Sequence, residues 1–527
     1  MNFFDRAIKN VIRRPSKSIL LALTFFIIGN LVIIGLGIST ASENAKILTR
    51  KQMRAIVSYE IDYDAFWQYA DSIENEEERN DLYQNNYPTL DPDFSNKLMS
   101  DKRVKAANFF SDWVQFYGRD IEYVPNPYAD ENNNYGEVVY EDGTSMAWVP
   151  PGFKIQANNY PNQIELAEGT YNIIEGRYYT QDDLDDKNQV CLISDELAQY
   201  NNLKVGDSIT ISQMDKNELS RYIDGTDMAI EDFDLSLEII GIYDNTKELD
   251  PNDSDTKYMQ PYELPANIIL MPATTYYDYS YNVNKTSYEY YKNLYPESYV
   301  DYDYPDYDEY VNSQSGGSAV FLLNDPLDVE DFVDDYKAEL KDFTKLNANN
   351  EQFNKLARPL DTLSFFSNII VVIVVFNAIV IITLVTALTL KTRSYEIGVL
   401  LSMGVTKAKV VMQLFIELII VALLGFTLSV ISGSMIAGKV GDMVLDYQKE
   451  TEEQYNTEDN NNYYYYDTTY FTEITQDDML SQYEVKISPL IIAEIYVLGL
   501  GVVFISILIP SVMIMRFNPK QILLNTN

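Results

Sequence analysis

The chain has 527 residues and a formal charge of −40, from 79 acidic and 39 basic side chains. An acidic excess on this scale leaves nothing to neutralise phosphates and excludes nucleic acid as a partner. The sequence contains no histidine, so Ser-His-Asp and Cys-His catalysis and histidine-ligated metals are excluded, and we expect no catalytic residue, no metal site and no bound cofactor.

The first predicted element is an amphipathic helix within residues 1–17. Apolar residues repeat at helical spacing from Phe4 to Ile12 with basic residues between them, which is typical of a helix on the inner membrane surface, and Pro15 ends it. We interpret this helix as a structural anchor.

Four apolar stretches are long enough to cross about 30 Å of hydrocarbon as helices. The predicted transmembrane helices are residues 18–39, 363–390, 410–437 and 489–512. The first is longer than the core of a signal peptide and no A-x-A cleavage site follows it, so we predict a retained span. The expected fold class is a membrane protein with four transmembrane α-helices and a large α/β extracytoplasmic domain between helices 1 and 2.

Lys and Arg in the short flanks predict the orientation. Five basic residues precede the first span and four lie in the 391–409 loop, whereas residues 441–487 carry twelve acids and two lysines. Both termini, including the 513–527 tail, and the 391–409 loop are therefore predicted to be cytoplasmic. Residues 40–362 and 438–488 are predicted to lie outside the membrane.

Residues 40–362 have the alternating patterns of a mixed α/β domain. We predict a short strand, a turn and an extended segment within 164–180, and a helix from the Asp325 turn to about Phe343. A last helix near 350–362 is predicted to run into the second span as a stalk. Further strands are predicted within 189–193, 203–212, 236–243 and 319–323. A short helix is predicted at 195–200.

The single cysteine, Cys191, can form no internal disulfide. It lies in the apolar, strand-like run 190–193, so we expect a small buried side chain rather than a reactive thiol. A large outer domain without disulfides is typical of a bacterial cell surface, and we expect the bacterial plasma membrane.

Two segments, 276–310 and 446–471, are rich in Tyr and acidic residues. Such composition is typical of a solvated, acidic, flexible surface. The alternative is a Tyr-rich contact surface, since tyrosine offers a large contact area with few rotamers to lose. The acids from Asp301 to Asp308 lack the spacing of an EF-hand calcium loop.

Residues 391–409 predict a short amphipathic helix between two spans, with Ile397, Leu400 and Leu401 on one side and Met403-Gly404 at its end. Such a helix is suited to bind a partner protein. The alternative is an ordinary interfacial turn.

Residues 433–440 resemble a phosphate-binding loop, but Val440 follows Lys439 where such a loop needs Ser or Thr, and no strand precedes it. We interpret Ser429 with Gly433, and Ser434 with Gly438, as small-residue pairs that let helices approach closely.

Two acids lie within predicted spans, Glu417 in the third and Glu494 near the outer end of the fourth. Charged residues in a bilayer are costly and are functional candidates. A proton relay through Glu417 would need further ionisable partners at that depth, and the sequence shows none. We therefore predict a packing or coupling role with a hydrogen bond to a neighbouring helix.

Several motifs together resemble the FtsX/MacB family of ABC-transporter permeases, the type VII mechanotransmission group. The family pattern R-x-R-E-I-G-x-L-x-x-x-G is similar to residues 393–404. The other similar motifs are Phe415 to Glu417 followed by Gly425, Pro510 with Arg516, Pro519 and Leu523, Glu175 to Asp183, and Gly206-Asp207 followed by Ile239 to Ile242.

The sequence departs from the family pattern in three places. Tyr395 replaces the usual second arginine, the outer domain carries the 276–310 insertion, and the loop between spans three and four is much longer than the usual short connector. These departures concern partner docking and the outer surface.

The resemblance implies a stand-alone permease without a fused ATPase. It implies that a separate cytoplasmic ATPase, which binds ATP and magnesium, docks on the cytoplasmic segment from Arg393 to Lys409. It also implies that a second permease chain, identical or paralogous, pairs through the first two spans. The residues implied in ATPase coupling are Arg393, Tyr395, Glu396, Ile397, Gly398, Leu400, Met403 and Gly404. Those implied in membrane packing or coupling are Glu417, Gly425, Gly433 and Pro510.

Closure of the ATPases would be passed to the outer domain, with no substrate path through the bilayer. The expected function is export of a peptide, lipid-linked or hydrophobic compound, with membrane lipid and an outer partner as further contacts. The alternatives are control of a cell-wall hydrolase or sensing of an antimicrobial peptide, and surface adhesion.

Overall fold

The computed structural model divides into two compact units, Met1–Met53 with Asn350–Asn527, and Arg54–Asn349. It describes most of the chain. The described residues are 3–110, 115–129, 137–139, 145–147, 150–216, 219, 223, 228–299, 303–314, 318–452, 470–472 and 474–516.

The described residues of the first unit form helices, and the second unit contains both helices and strands. The described helices are α1 (Phe3–Arg13), α2 (Pro15–Gln52), α3 (Tyr63–Ser72), α4 (Glu76–Asn85), α5 (Pro92–Met99), α6 (Ile164–Glu168), α7 (Gln181–Asp185), α8 (Asp195–Asn201), α9 (Ser254–Tyr258), α10 (Ala273–Leu294), α11 (Tyr307–Ser313), α12 (Val329–Tyr336), α13 (Asn350–Thr392), α14 (Ser394–Ser402), α15 (Lys407–Glu452), α16 (Gln476–Ser481) and α17 (Pro489–Arg516). Short 3₁₀ turns lie at Ile230–Phe233, Pro261–Glu263, Pro265–Asn267, Pro296–Tyr299, Pro326–Asp328 and Lys337–Glu339.

Strands occur only in the second unit among the described residues. They are β1 (Ile56–Ile61), β2 (Val104–Asn108), β3 (Gln115–Gly118), β4 (Glu137–Val139), β5 (Ser145–Ala147), β6 (Phe153–Asn158), β7 (Tyr171–Gly176), β8 (Val190–Ser194), β9 (Ser208–Ser212), β10 (Leu235–Asn245), β11 (Ile268–Pro272), β12 (Ser318–Leu323) and β13 (Thr344–Asn347).

Four described helices, α2, α13, α15 and α17, are long and apolar enough to cross a membrane. The chain is a multi-pass membrane protein with a large α/β domain between the first two of these helices, which confirms the predicted fold class. The helices continue beyond the stretches that hydropathy predicts to lie in the membrane, since α2 runs to Gln52 and α15 to Glu452. Hydropathy locates the apolar stretch, but a helix ends only where its backbone bonds end.

Beyond the apolar stretches, α2 and α13 continue as a packed helix pair. Ser39 and Ser364 hydroxyls lie 2.9 Å apart, and Lys46 Nζ lies 2.7 Å from Asp361 Oδ1. Apolar side chains of α2, α13 and α16 pack together there: Ile38, Ala41, Ala45, Phe353, Ala357, Leu360, Met479 and Leu480. We call this pair, residues 40–52 with 350–362, the stalk.

Small residues bring α2 and α15 into close contact. A Cβ on Gly425 would lie 2.6 Å from Phe25 Cβ, and one on Gly433 would lie 2.7 Å from Ile33 Cδ1. Ser429, which is fully buried, meets Gly29. The predicted small-residue packing is thus confirmed for Gly433, whereas a Cβ on Gly438 would meet no described atom within 4 Å. The whole stretch 433–440 lies inside α15, so it forms no phosphate-binding loop.

The second unit holds two larger sheets. The first has the strand order β7-β10-β8-β11-β6-β3-β9, and β9 pairs also with β10, so the sheet curls back on itself. Only β10 with β8 and β11 with β6 run parallel in it. The second sheet, β13-β1-β12-β2, is antiparallel throughout. β4 and β5 form a separate hairpin-like pair.

The alternating sequence of β10 explains its place in the first sheet. Leu235, Leu237 and Ile239 are at most 2% exposed and alternate with the exposed Ser236 and Glu238. Residues 239–243 of the strand are all buried, on both faces, because neighbouring strands and helices cover them. The predicted strand at 236–243 is confirmed.

Two of the predicted elements in this unit are wrong in part. The predicted short strand after residue 164 is the helix α6, which ends at Gly169 in a left-handed cap. The predicted helix from Asp325 to Phe343 is a 3₁₀ turn, the short helix α12 and a second 3₁₀ turn. Local composition could not determine where these short segments end, because their ends depend on side-chain caps and tertiary contacts.

Cys191 lies in β8 and is fully buried. Burial raises the pKa of the Cys191 thiol well above its usual range. The sequence prediction of an unreactive core residue is confirmed.

The Tyr-rich stretch 276–310 buries part of its tyrosines in the core of the domain, which corrects, for that part, the prediction of a solvated flexible surface. It forms α10, a 3₁₀ turn and α11, and the side chains of Tyr276, Tyr277 and Tyr279 are at most 7% exposed. The Tyr279 hydroxyl donates to the Phe233 carbonyl at 2.8 Å. Burial is possible because these hydroxyl groups find partners inside the domain. Most of the second Tyr-rich stretch, 446–471, lies outside the described residues.

The motif from Glu175 to Asp183 spans the turn between β7 and α7. Asp183, 5% exposed, binds both terminal nitrogens of Arg177 at 2.6 and 3.1 Å. It also accepts from the Thr180 backbone N–H at 2.8 Å and from Asn188 at 3.1 Å. Arg177 holds the pKa of the Asp183 carboxyl well below its usual range.

Replacing Asp183 with Asn is expected to destabilise the second unit by about 1–2 kcal/mol at neutral pH, because the helix cap and the Arg177 pair are both damaged. The lowered pKa means that this carboxylate stabilises the fold in full above about pH 4, its unfolded value, and that the contribution is lost as the pH falls through the folded value. The difference in unfolding free energy between the Asp183→Asn variant and the parent should therefore become smaller in acid.

Tryptophan fluorescence during thermal unfolding measures this difference, because all three tryptophans of the chain lie between residues 54 and 349. The matched control is Asp182→Asn, which removes an exposed acid from the first turn of the same helix. Equal stability of the two variants would show that the Asp183 contacts contribute nothing.

Candidate functional site

A short helix between the second and third spans forms the candidate site. α14 begins after Arg393 and ends at Met403. Gly404 N–H donates to the Leu401 carbonyl at 3.1 Å, and Val405 N–H donates to the Leu400 carbonyl at 3.1 Å. These bonds satisfy carbonyls that the end of a helix leaves unpaired, so the Met-Gly sequence closes α14 as predicted.

The two sides of α14 differ in exposure. Ile397 is 3% exposed and packs in the core of the membrane bundle, and Gly398 is buried beside it. Tyr395 is 55% exposed and Met403 67% exposed on the other side. An exposed aromatic and an exposed methionine on a rigid helix are suited to a protein contact.

Buried charges hold the start of α14. Arg393 is 7% exposed, and its Nη1 lies 2.8 Å from Glu417 Oε2 on α15. Its Nε lies 3.2 Å from Glu396 Oε2. Gln413 Nε2 donates to Glu417 Oε1 at 3.0 Å, and Arg14 binds Glu396 from the start of the chain. This group of five side chains is called the charge network.

The charge network corrects the expectation that Glu417 has no ionisable partner at its depth. Arg393 is 24 positions away in the sequence, and the turn between α14 and α15 brings the two together. Arginine does not release its proton in proteins, so the pair fits a structural link better than a proton relay. The i to i+4 spacing of Gln413 and Glu417 was a signal that sequence reasoning missed.

The remaining predicted residues have distinct surroundings. Leu400 is partly buried and Gly404 is exposed. Pro510 is buried inside α17. Gly425 and Gly433 lie in the contact of α2 with α15, as described above. Glu494 is exposed in the first turns of α17, and the structure does not bring it to the charge network.

Acidic side chains are numerous elsewhere in the part of the chain that the structure describes. Within the described ranges, no group of three or more Asp, Glu or Cys side chains is placed to hold a metal ion. Asp301 lies outside the described residues, and so do Pro519 and Leu523 of the closing motif.

Comparison with protein families and known proteins gives sequence matches over both units. A family model described as the MacB-like periplasmic core domain matches residues 65–336, and one described as FtsX-like permease C-terminal matches residues 368–519. The chain is 23% identical over 445 residues to a Bacillus subtilis (strain 168) protein described as the uncharacterized ABC transporter permease YclI. That alignment covers 83% of this chain and 80% of the relative.

Solved structures show weaker likenesses. The periplasmic region of MacB from Actinobacillus actinomycetemcomitans is 10% identical, with coverage of 56% of this chain and 90% of that chain and a TM-score of 0.26. The extracellular domain of the noncanonic ABC-type transporter YknZ from Gram-positive bacteria is 10% identical, with coverage of 55% and 99% and a TM-score of 0.26.

Proposed function

Because the chain belongs to the FtsX/MacB-like family of ABC-transporter permeases, we propose that it couples ATP hydrolysis on a separate cytoplasmic ATPase to movement of its large domain. The observation that carries the proposal is α14, which exposes Tyr395 and Met403 while Arg393 and Ile397 tie it into the membrane bundle. A partner that pushes on α14 therefore moves α15 with it.

The division of α14 into two sides assigns different roles to the residues of the family motif. Tyr395 and Met403 are proposed to contact the ATPase directly. Arg393, Ile397 and Gly398 are proposed to position the helix, because all three residues are buried in the bundle. Glu396, whose side chain is 48% exposed, lies at the border and pairs with both arginines of the charge network.

The stalk is proposed to carry the movement. Its helices are direct continuations of the first two spans, and the chain of the large domain begins and ends at them. The Lys46–Asp361 ion pair and apolar contacts join α2 and α13 in the stalk, so the two helices are suited to move as one piece. The proposed arrangement has both termini and α14 in the cytoplasm, and two permease chains side by side.

The proposed substrate is a peptide or hydrophobic compound moved outside the membrane, and the acidic surface favours a cationic peptide. An open groove of about 620 Å³ on the large domain is lined by Tyr128, Tyr200 and prolines. Asp195, Glu196, Asp244 and Glu248 line it with one lysine, Lys247. Tyrosine faces and an excess of acid suit a basic, partly apolar chain through steering and contact.

Co-purification with the ATPase tests the proposed function. The double variant Tyr395→Glu with Met403→Glu is expected to weaken ATPase association at least about thirtyfold, because two central contact side chains become charged. The measurement is recovery of the ATPase with the detergent-solubilised chain from its native cells, by quantitative mass spectrometry. Both side chains are exposed, so stability should stay at the parent level.

The control is Tyr258→Glu, which adds the same negative charge at a tyrosine that is 59% exposed in the large domain, outside the 391–409 loop. Assembly of the double variant at the parent level would contradict the assignment of α14 as the docking helix. Recovery of a cell-wall hydrolase or a histidine kinase in place of a second permease would favour regulation over export.

A further inference from the structure

A cavity of about 80 Å³ lies at the end of the membrane bundle where α1, α2, α13 and α15 meet. It is large enough to admit several waters or one phosphate group. Its lining residues are Asn10, Val11, Arg14, Lys17, Ser18, Leu21, Thr386, Thr389, Arg393, Leu414, Glu417, Leu418 and Val421.

The cavity walls carry an excess of positive charge. Arg14, Lys17 and Arg393 line it against one acid, Glu417, so three positive and one negative charges leave +2. Glu396, which is not in the lining, pairs with both arginines and reduces this excess to +1. Lys17 contributes the available donor, because its one described contact is the Thr392 hydroxyl at 3.4 Å.

A buried hydroxyl in the wall has no partner among the described residues. Thr386 is 4% exposed, and its Oγ1 makes no hydrogen bond there. Threonines elsewhere in the bundle donate to the carbonyl four residues earlier, as Thr24 does at 3.0 Å and Thr427 at 2.7 Å. A buried unsatisfied hydroxyl costs about 1–3 kcal/mol, so a ligand atom that accepts from Thr386 would be stabilised.

Exposed apolar side chains lie close in sequence to the lining residues of α2 and α13. Leu20 and Leu23 on α2 are 60% and 50% exposed, and Leu384 and Leu388 on α13 are 59% and 56% exposed. These positions belong to helices that cross the membrane, so the surface faces hydrocarbon. The polar cavity and the apolar surface together match the two parts of a lipid.

We propose that this cavity binds the phosphate group of an anionic phospholipid, whose acyl chains lie along α2 and α13. The phosphate oxygens accept hydrogen bonds from Lys17, Arg14 and Thr386. The net positive charge selects against a headgroup that carries its own cation. The bound lipid fills the junction of α1 with the spans and stabilises the position of the charge network.

Native mass spectrometry of the full chain tests the proposal, after release from nanodiscs of equal parts phosphatidylglycerol and phosphatidylcholine. The parent is expected to retain one phosphatidylglycerol per chain in preference to phosphatidylcholine. The double variant Lys17→Gln with Thr386→Val should retain about tenfold less, because a charge-assisted bond and a hydroxyl bond are lost. The charge-preserving Lys17→Arg should retain the lipid.

Two matched controls keep the test specific. Lys9→Gln removes a charge from the exposed surface of α1, and Thr24→Val removes an exposed hydroxyl from α2, and neither residue lines the cavity. Both should retain the lipid as the parent does. Equal retention by the double variant, or equal loss in the controls, would overturn the proposal.

A final comparison separates a lipid from free phosphate. Thermal unfolding of the detergent-solubilised chain, followed by far-UV circular dichroism, should shift upward with phosphatidylglycerol and stay unchanged with inorganic phosphate. An equal shift with inorganic phosphate alone would overturn the assignment to a lipid. The measurements need no ATPase, so their outcome is independent of the proposed function.

Discussion

Replacing Arg393 with Met is expected to lower the stability of the membrane bundle by about 3–5 kcal/mol, because Glu417 is then left as a buried charge without its partner. Glu417→Met should cost less, since Arg393 loses its buried partner but keeps its pair with Glu396. The double replacement should recover most of the loss, because two apolar side chains of similar length can pack where the ion pair was. Unfolding in SDS, followed by far-UV circular dichroism, measures all three variants.

The matched control is Glu494→Met, which removes the other acid within a span at a position that is exposed. It should change stability little. Parent-like unfolding of Arg393→Met would show that the pair with Glu417 contributes nothing to the bundle.

The same variants separate positioning from contact on α14. Arg393→Met should weaken ATPase association together with bundle stability, because the helix is no longer held at its start. The Tyr395 and Met403 variants should weaken association alone. A loss of association without any loss of stability in Arg393→Met would assign Arg393 to the contact surface instead.

Gly176→Ala is expected to destabilise the large domain by about 2–5 kcal/mol. The residue has φ +76°, which costs an L-residue about 1–2 kcal/mol. A Cβ there would also lie 2.2 Å from the Ile240 carbonyl oxygen, so the backbone of β10 must move, at an added cost of about 1–3 kcal/mol. Tryptophan fluorescence during thermal unfolding of the full chain measures the loss.

The chain offers a matched control at Gly206. It has φ +94°, but a Cβ there would meet no described atom within 4 Å. Gly206→Ala should therefore cost only the conformational part, about 1–2 kcal/mol. Equal effects of the two substitutions would show that the close approach of β7 and β10 adds no strain.

Local patterns predicted the features that depend on neighbours in the sequence. Hydropathy located the four membrane helices, alternation located β9 and β10, and short apolar runs located β8 and β12. The short helix α14 was predicted from its amphipathic spacing and its Met-Gly end, both of which the structure has. Burial and capping in these elements depend on residues that are close together in the sequence, so the sequence alone predicts where the elements lie.

Composition was misleading for the Tyr-rich stretch. The biased, acidic composition predicted a solvated surface, yet Tyr310 is 6% exposed and its hydroxyl lies 2.7 Å from Ser280 Oγ. Whether a tyrosine is buried depends on a partner for its hydroxyl, and that partner is 30 residues away here. The same limit hid the pairing of Arg393 with Glu417.

The sequence by itself determined the membrane helices, the acidic character of the large domain, the absence of histidine chemistry and the motifs of a permease family. Only the tertiary structure decided which side of α14 is buried, that Glu417 holds Arg393, and that Thr386 faces a basic cavity. Helix period and hydropathy are properties of a continuous segment, so they can be recognised in the amino-acid sequence alone. Ion pairs and cavities form between segments that are far apart in the chain, and their geometry exists only after the helices have packed.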